Sequence, residues 1–204
     1  MSNPPTQVIR ASTKTGDQAK GEPTLLISTT SNYLWLYNDQ GTGAHMDVSL
    51  YRPNPTDTTY RIIGDYAQGN YSGPTGSSLI VKALNDDPNN PLLKAPSGYQ
   101  EVWNDHGSGG KNDGSIWYPT APDGYRTIGY VCQPGYDQPS ISNYVCLRKD
   151  LTVEAQAGAL IWNDQHSGAK MDVSLYQIVG VGSAFVAQGN YNPFSGTCYK
   201  LATS

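Results

Sequence analysis

"WNDHGSGGKNDGSIW", residues 103–117, carries too much glycine and too many polar side chains to be a buried strand or helix. The same phrase occurs twice more, as "YNDQGTGAHMDVSLY" (37–51) and "WNDQHSGAKMDVSLY" (162–176), without a gap. Alignment matches Asn38 with Asn104 and Asn163, Asp39 with Asp105 and Asp164, and Gly43 with Gly109 and Gly168. It continues through Asp47, Asp113 and Asp172 to Ser49, Ser115 and Ser174. The copies begin 66 and 59 positions apart, at Tyr37, Trp103 and Trp162. Weaker echoes follow them: "YRIIG" (60–64) with "YRTIG" (125–129), and "AQGNY" at 67–71 and again at 187–191.

Outward from the repeat, no stretch of a dozen residues has helical spacing of apolar positions. Short apolar or alternating runs such as "YLWLY", "SLIVKAL", "GYRTIGYV", "NYVCLRKDL" and "TCYKLA" recur instead between glycine, proline and asparagine clusters. The chain therefore reads as all-β. A unit of this length with about four short strands cannot bury its apolar face alone, and three units can close around an axis. The expected architecture is a β-prism of three four-stranded antiparallel sheets with internal pseudo-threefold symmetry. A β-trefoil, built from shorter units, is the alternative, and a two-sheet sandwich ranks third because it has no need of a triple repeat. Residues 1–22, polar and aperiodic, are expected to be a flexible leader, and 23–204 a single domain with repeats at about 23–92, 93–155 and 156–204.

Composition narrows the function. Thirteen basic against seventeen acidic residues among 204, with no run of either sign, leave no basic stripe for a phosphate backbone, so nucleic acid is not an expected partner. The net charge of −4 also argues against strong adsorption to anionic lipid. No apolar run approaches a membrane span or a signal peptide, so the expected location is cytoplasmic or reached by leaderless release. Fifteen tyrosines against two phenylalanines supply aromatic faces that also carry hydroxyls, mostly on half-buried strands. Three cysteines are too few for a disulfide framework; free thiols are expected, with a Cys132–Cys146 bridge as the oxidised alternative.

Each copy runs from an aromatic strand end into Asn-Asp, a glycine-rich turn, Asp-x-Ser and a second strand, which describes a hairpin with a long loop. On the preferred reading the loop is scaffolding, its Asn and Asp side chains accepting from backbone amides. A second reading sets the paired carboxylates, Asp39 with Asp47, Asp105 with Asp113 and Asp164 with Asp172, around a hard cation. Calcium is then the cofactor to consider, with Asp105, Asp113, Asp164 and Asp172 as its ligands. A third reading uses the same loops for sugar. Asn38, Asp39, Asp47, Asn104, Asp105, Asp113, Asn163, Asp164 and Asp172 would bond hydroxyls, and Trp103 and Trp162 would cover the apolar face of the ring. Catalysis is not expected: His45, His106 and His166 fall at different loop positions, near-identical loops do not supply the distinct environments that paired carboxylates need, and no nucleophile or phosphate-binding fingerprint occurs.

The phrases "WNDHGSGGKNDGSIWYPTAPDGYRTIGYV", "VCLRKDLT" and "IWNDQHSGAKMDVSLYQI", with "FVAQGNY" and "CYKL" closing the chain, resemble the vacuolar-protein-sorting sixty-two-like family of plants and fungi. The resemblance covers about residues 25–201. It implies a β-prism related to membrane-associated prism modules and to the carboxy-terminal prisms of some bacterial perforin-like toxins, used to dock on a glycan or a lipid headgroup at a membrane surface, with no catalytic residues to carry over. Taken together, the expectation is a non-enzymatic, lectin-like module. A phospholipid-docking module or a defence- or toxin-associated targeting protein is the alternative.

Overall fold

The structure, a computed structural model, describes residues 7–10 and 21–202. Strand β1 (Gln7–Arg10) pairs antiparallel with β2, within the stretch expected to be leader; residues 1–6 and 11–20 lie outside the described residues. The first repeat holds β2 (Thr24–Thr30), β3 (Tyr33–Asn38), β4 (Ser49–Pro53), β5 (Arg61–Ile62), β6 (Tyr66–Gln68) and β7 (Ser78–Leu84). The second holds β8 (Leu93–Lys94), β9 (Gly98–Asn104), β10 (Gly114–Thr120), β11 (Tyr125–Arg126), β12 (Val131–Pro134) and β13 (Cys146–Arg148). The third holds β14 (Thr152–Ala155), β15 (Ala157–Asn163), β16 (Ser174–Ile178), β17 (Phe185–Gln188) and β18 (Cys198–Leu201), after a short 3-10 turn at Lys149–Leu151.

The chain is all-β, and its three repeats are equivalent in topology. Each carries its motif loop on a three-stranded antiparallel sheet, ordered β3-β4-β6, β9-β10-β12 and β15-β16-β17. A second ladder in each repeat joins its outer strands: β2-β7-β5 with β1 added at the edge, β8-β13-β11, and the shorter β14-β18. Where the sequence suggests one four-stranded sheet per unit, the hydrogen bonds therefore divide between two ladders. Two-residue strands such as β5, β8 and β11 are too short for the periodicity of the sequence to register. In the third repeat the second ladder pairs Thr152–Ala155 with Cys198–Leu201.

Each motif hairpin contains an irregularity at the same place. The pairing shifts between Trp35 and Tyr37 in β3, between Ile116 and Trp117 opposite Trp103, and between Leu160 and Trp162 in β15. A bulge breaks strict alternation and adds twist, which turns the aromatic at each strand end inward. Tyr37, Trp103 and Trp162 are 1%, 0% and 0% exposed. Their rings meet edge to face, Tyr37–Trp103 at 5.9 Å and Trp103–Trp162 at 5.4 Å, an arrangement the aromatic quadrupole favours. Beneath them, Leu50, Ile116 and Leu175, and then Ala67, Cys132 and Ala187, supply equivalent positions of one shared core. No unit has such a core by itself. The three cysteines are buried and free.

One departure from the pattern has a visible cause. Val48 and Val173 are matched in the second repeat by Gly114, where an added Cβ would stand 2.3 Å from the Tyr37 ring. The Tyr37 ring fills the space that a side chain takes at the other two positions.

Candidate functional site

The three loops share one internal hydrogen-bond plan. Asn38, Asn104 and Asn163 each accept, through Oδ1, the backbone N–H two residues on, at 3.3, 3.1 and 3.2 Å, the local turn that favours asparagine before a loop. The next residues, Asp39, Asp105 and Asp164, are each 2% exposed. Through Oδ1 they accept the backbone N–H of Val48, Gly114 and Val173 at 3.0, 3.1 and 2.9 Å, which fastens the far end of each loop. Ser108 and Ser167 donate to the Oδ2 of Asp105 and Asp164 at 3.2 Å.

The remaining contacts run between repeats and close in a circle. Trp162 Nε1 donates to Asp39 Oδ2 at 3.0 Å, and Trp103 Nε1 to Asp164 Oδ2 at 2.9 Å. The Tyr37 hydroxyl, at the equivalent position, is buried with no partner. Backbone bonds follow the same circuit: His45 N–H to Gln165 O at 3.2 Å, Lys111 N–H to Gln40 O at 2.8 Å, and Lys170 N–H to His106 O at 3.1 Å. Gly41, Gly107 and His166 occupy one loop position and all have positive φ, at 89°, 94° and 69°. His166 thus adopts a glycine's conformation, and its ring stacks on His45 at 3.9 Å.

This geometry sorts the residues named from sequence. Asn38, Asn104 and Asn163 shape the turns, and Asp39, Asp105 and Asp164 are buried acceptors. Burial raises the pKa of Asp39 and of Asp164, against hydrogen bonds from Val48 and Val173 that lower it. Trp103 and Trp162 cannot cover a sugar ring; their faces are inside the core and their N–H groups hold neighbouring loops. The scaffolding reading is the one these residues obey. Asp47, Asp113 and Asp172 are exposed. Among the described residues no group of three or more His, Cys, Asp or Glu side chains is placed to hold a metal ion.

The aromatic beside each exposed aspartate is a tyrosine that the sequence reading passed over. Tyr136 donates to Asp113 Oδ1 at 3.1 Å and Tyr191 to Asp172 Oδ1 at 2.9 Å. Tyr71 donates to Asp39 Oδ1 at 2.9 Å, and the Asp47 carboxylate of the same loop adds to the rise of its pKa. Burial and the adjoining carboxylates together hold all three hydroxyls protonated, well above the ordinary tyrosine range. Tyr71 and Tyr136 are each 39% exposed and Tyr191 is half-buried. The signal was there: "GNY" at 69–71 and 189–191 aligns with "PGY" at 134–136, each following the last strand of a motif sheet.

Three comparisons place this geometry among known proteins. A family model described as "Vacuolar protein sorting-associated protein 62" matches residues 11–194. Among curated proteins none matches significantly. The crystal structure of GNIP1Aa from Chromobacterium piscinae superposes with a TM-score of 0.70 at 32% identity, over 82% of this chain and 33% of that one. The chain thus spans about a third of the length of that relative, and no helix among the described residues is long and apolar enough to cross a membrane.

Proposed function

The chain belongs to the vacuolar protein sorting-associated protein 62 family, and from that premise we propose that it is a non-enzymatic recognition module for surface-displayed glycans. The observation that carries this reading is an accessible tyrosine bonded to a loop carboxylate in every repeat: Tyr136 to the exposed Asp113, Tyr191 to the exposed Asp172, and Tyr71 to Asp39, with Asp47 exposed in the same loop. A phenol face covers the C–H side of a sugar ring, and a carboxylate accepts from its hydroxyls. Each pair alone offers a shallow, weak contact. Three on one rigid body gain through multivalency, by as much as about 10²–10⁴ on a surface where they engage together. The absence of a catalytic role is part of the proposal, supported by carboxylates that come as near-identical triplets rather than as an acid and a base in different surroundings.

The test is binding to an immobilised glycan array by the wild type and by Tyr71→Ala, Tyr136→Ala and Tyr191→Ala, singly and combined. Stepwise loss with each substitution is expected. Retention of full array binding by the triple variant rejects the reading. No cofactor is required on this view, so binding should survive EGTA; loss on chelation would restore calcium to the loops.

A second reading, docking on anionic lipid headgroups, has one observation in its favour. Lys111 and Lys170 occupy equivalent loop positions, are exposed, and have no ion-pair partner among the described residues. Sedimentation with phosphatidylserine vesicles, lost in a Lys111→Ala/Lys170→Ala double variant, would put this reading first. Either ligand would suit a targeting role in a defence- or toxin-associated protein.

A further inference from the structure

Away from the loop tips, the repeats meet along three seams, and equivalent glycines line two of them. Where the first repeat abuts the third, Gly69 packs against the carbonyl of Ile161, an added Cβ lying 3.0 Å from it. Where the third abuts the second, Gly189 lies 3.7 Å from the carbonyl of Val102 by the same measure. One position on the middle strand of each motif sheet faces the seam, occupied by Gln177, Tyr118 or Arg52. These side chains give the seams different contents.

The seam beside Arg52 is filled. Arg52 pairs with the fully buried Asp65 at 2.9 Å and donates to the carbonyl of Cys132, so the charge is spent inside the fold. The seam beside Tyr118 holds a cavity of about 440 Å³, narrowed by the contact of Tyr118 with Tyr130 and bearing one acid, Glu101. The seam beside Gln177 holds a cavity of about 620 Å³, and none of its lining residues is charged.

The walls of this last cavity are fixed. Tyr66 donates to Gln68 Oε1 at 2.7 Å, Gln68 Nε2 donates onward to Ser72 O, and Ser183 Oγ donates to Ser77 O at 3.1 Å. Backbone bridges from Tyr66 to Ala184 and from Ser78 to Gly182 tie the two repeats together at its base. Against this rigid frame the side-chain hydroxyls of Thr75 and Ser77 and the amide of Gln177 make no hydrogen bond among the described residues, and all three residues are exposed. Leu160, 39% exposed, supplies an apolar flank.

We infer that the seam between the first and third repeats is a binding site for one or two units of an uncharged saccharide, separate from the tyrosine–aspartate pairs. Neutral amide and hydroxyl groups meet the vicinal hydroxyls of a sugar without attracting an ion, and the lining offers a charged ligand no opposite charge to pair with. The leucine covers the C–H face, and the volume lies within the roughly 300–1,000 Å³ of small-molecule sites. The inference deepens the glycan reading and rests on it, but uses different residues.

The experiment is an array of neutral hexose and N-acetylhexosamine chains beside sialylated and sulfated ones, followed by calorimetric titration of the best soluble neutral oligosaccharide into the full chain. The Gln177→Ala and Leu160→Asp variants are expected to weaken that titration at least about tenfold, with unchanged thermal unfolding because both side chains are at the surface. The Tyr71, Tyr136 and Tyr191 variants should leave it intact while reducing array avidity. The inference is overturned if no neutral saccharide binds, or if a neutral ligand binds equally well to Gln177→Ala and Leu160→Asp. Loss only in the tyrosine variants would overturn the seam site while sparing the proposed function.

Discussion

Asp164 illustrates how far one side chain can be committed. It is almost wholly buried and accepts from the Val173 backbone, the Trp103 indole and the Ser167 hydroxyl. Removing it leaves the buried Val173 N–H unpaired, at a cost of about 1–3 kcal/mol, and the Trp103 indole with the Met171 carbonyl alone, at 3.1 Å. Chemical denaturation of Asp164→Ala should therefore show a loss of about 1–4 kcal/mol, whereas Asp113→Ala, at an exposed position, should change stability by less than about 0.5 kcal/mol. Equal effects from the two would refute the division into buried and exposed aspartates. The Tyr37 hydroxyl is the converse case, a buried donor with no acceptor. Tyr37→Phe is expected to be neutral or stabilising in the same assay. The cysteines follow from burial too: Cys146 is pushed up to about 11 and Cys132 further still. All three thiols should stay unreactive toward an aromatic disulfide reagent until the protein unfolds.

At the scale of elements, each motif hairpin is a strand pair whose bulge aims an aromatic at the loop of the next repeat. The fit is specific to each seam. Restoring the consensus valine by Gly114→Val drives a side chain into the Tyr37 ring, and a loss of about 1–3 kcal/mol or more is expected. Combining it with Tyr37→Ala should recover part of that loss, and a double-mutant cycle without coupling would contradict the packing account. The phrase repeated three times made the hairpins and their loops legible. It did not reveal the division of each repeat into two ladders, because two-residue strands leave no periodicity to read. Nor did it separate buried from exposed aspartates: both lie in the same polar phrase, and only the aromatic ring of the neighbouring repeat, Trp162, Tyr37 or Trp103, determines which one is covered.

For the whole molecule, closure is all or none. A chain ending at Arg148 would lack Asp164, the acceptor for the Trp103 indole, and Leu175 and Ala187 from the shared core. It should give a poorly dispersed amide spectrum, while the full chain unfolds in a single transition. Acidity offers a second global readout. Burial raises the pKa of Asp39 and of Asp164. For a group raised on folding, the stabilising contribution is complete below the unfolded value of about 3.9 and is lost as pH rises through the folded one. Asp150, lowered by its bond to Arg148, acts in the opposite direction. The two buried loop aspartates should prevail, so that Tm rises as pH is brought from 7 toward 4.5 and the slope flattens in Asp39→Asn. A steady fall of Tm over that range would contradict it. The all-β class, the threefold repeat and the family resemblance were set by the sequence alone, because strand periodicity and turn chemistry are local and are written in consecutive residues. Which side chains remain free for a ligand was decided only by tertiary structure, because burial and hydrogen-bond partnership depend on what the other two repeats bring to each loop and seam.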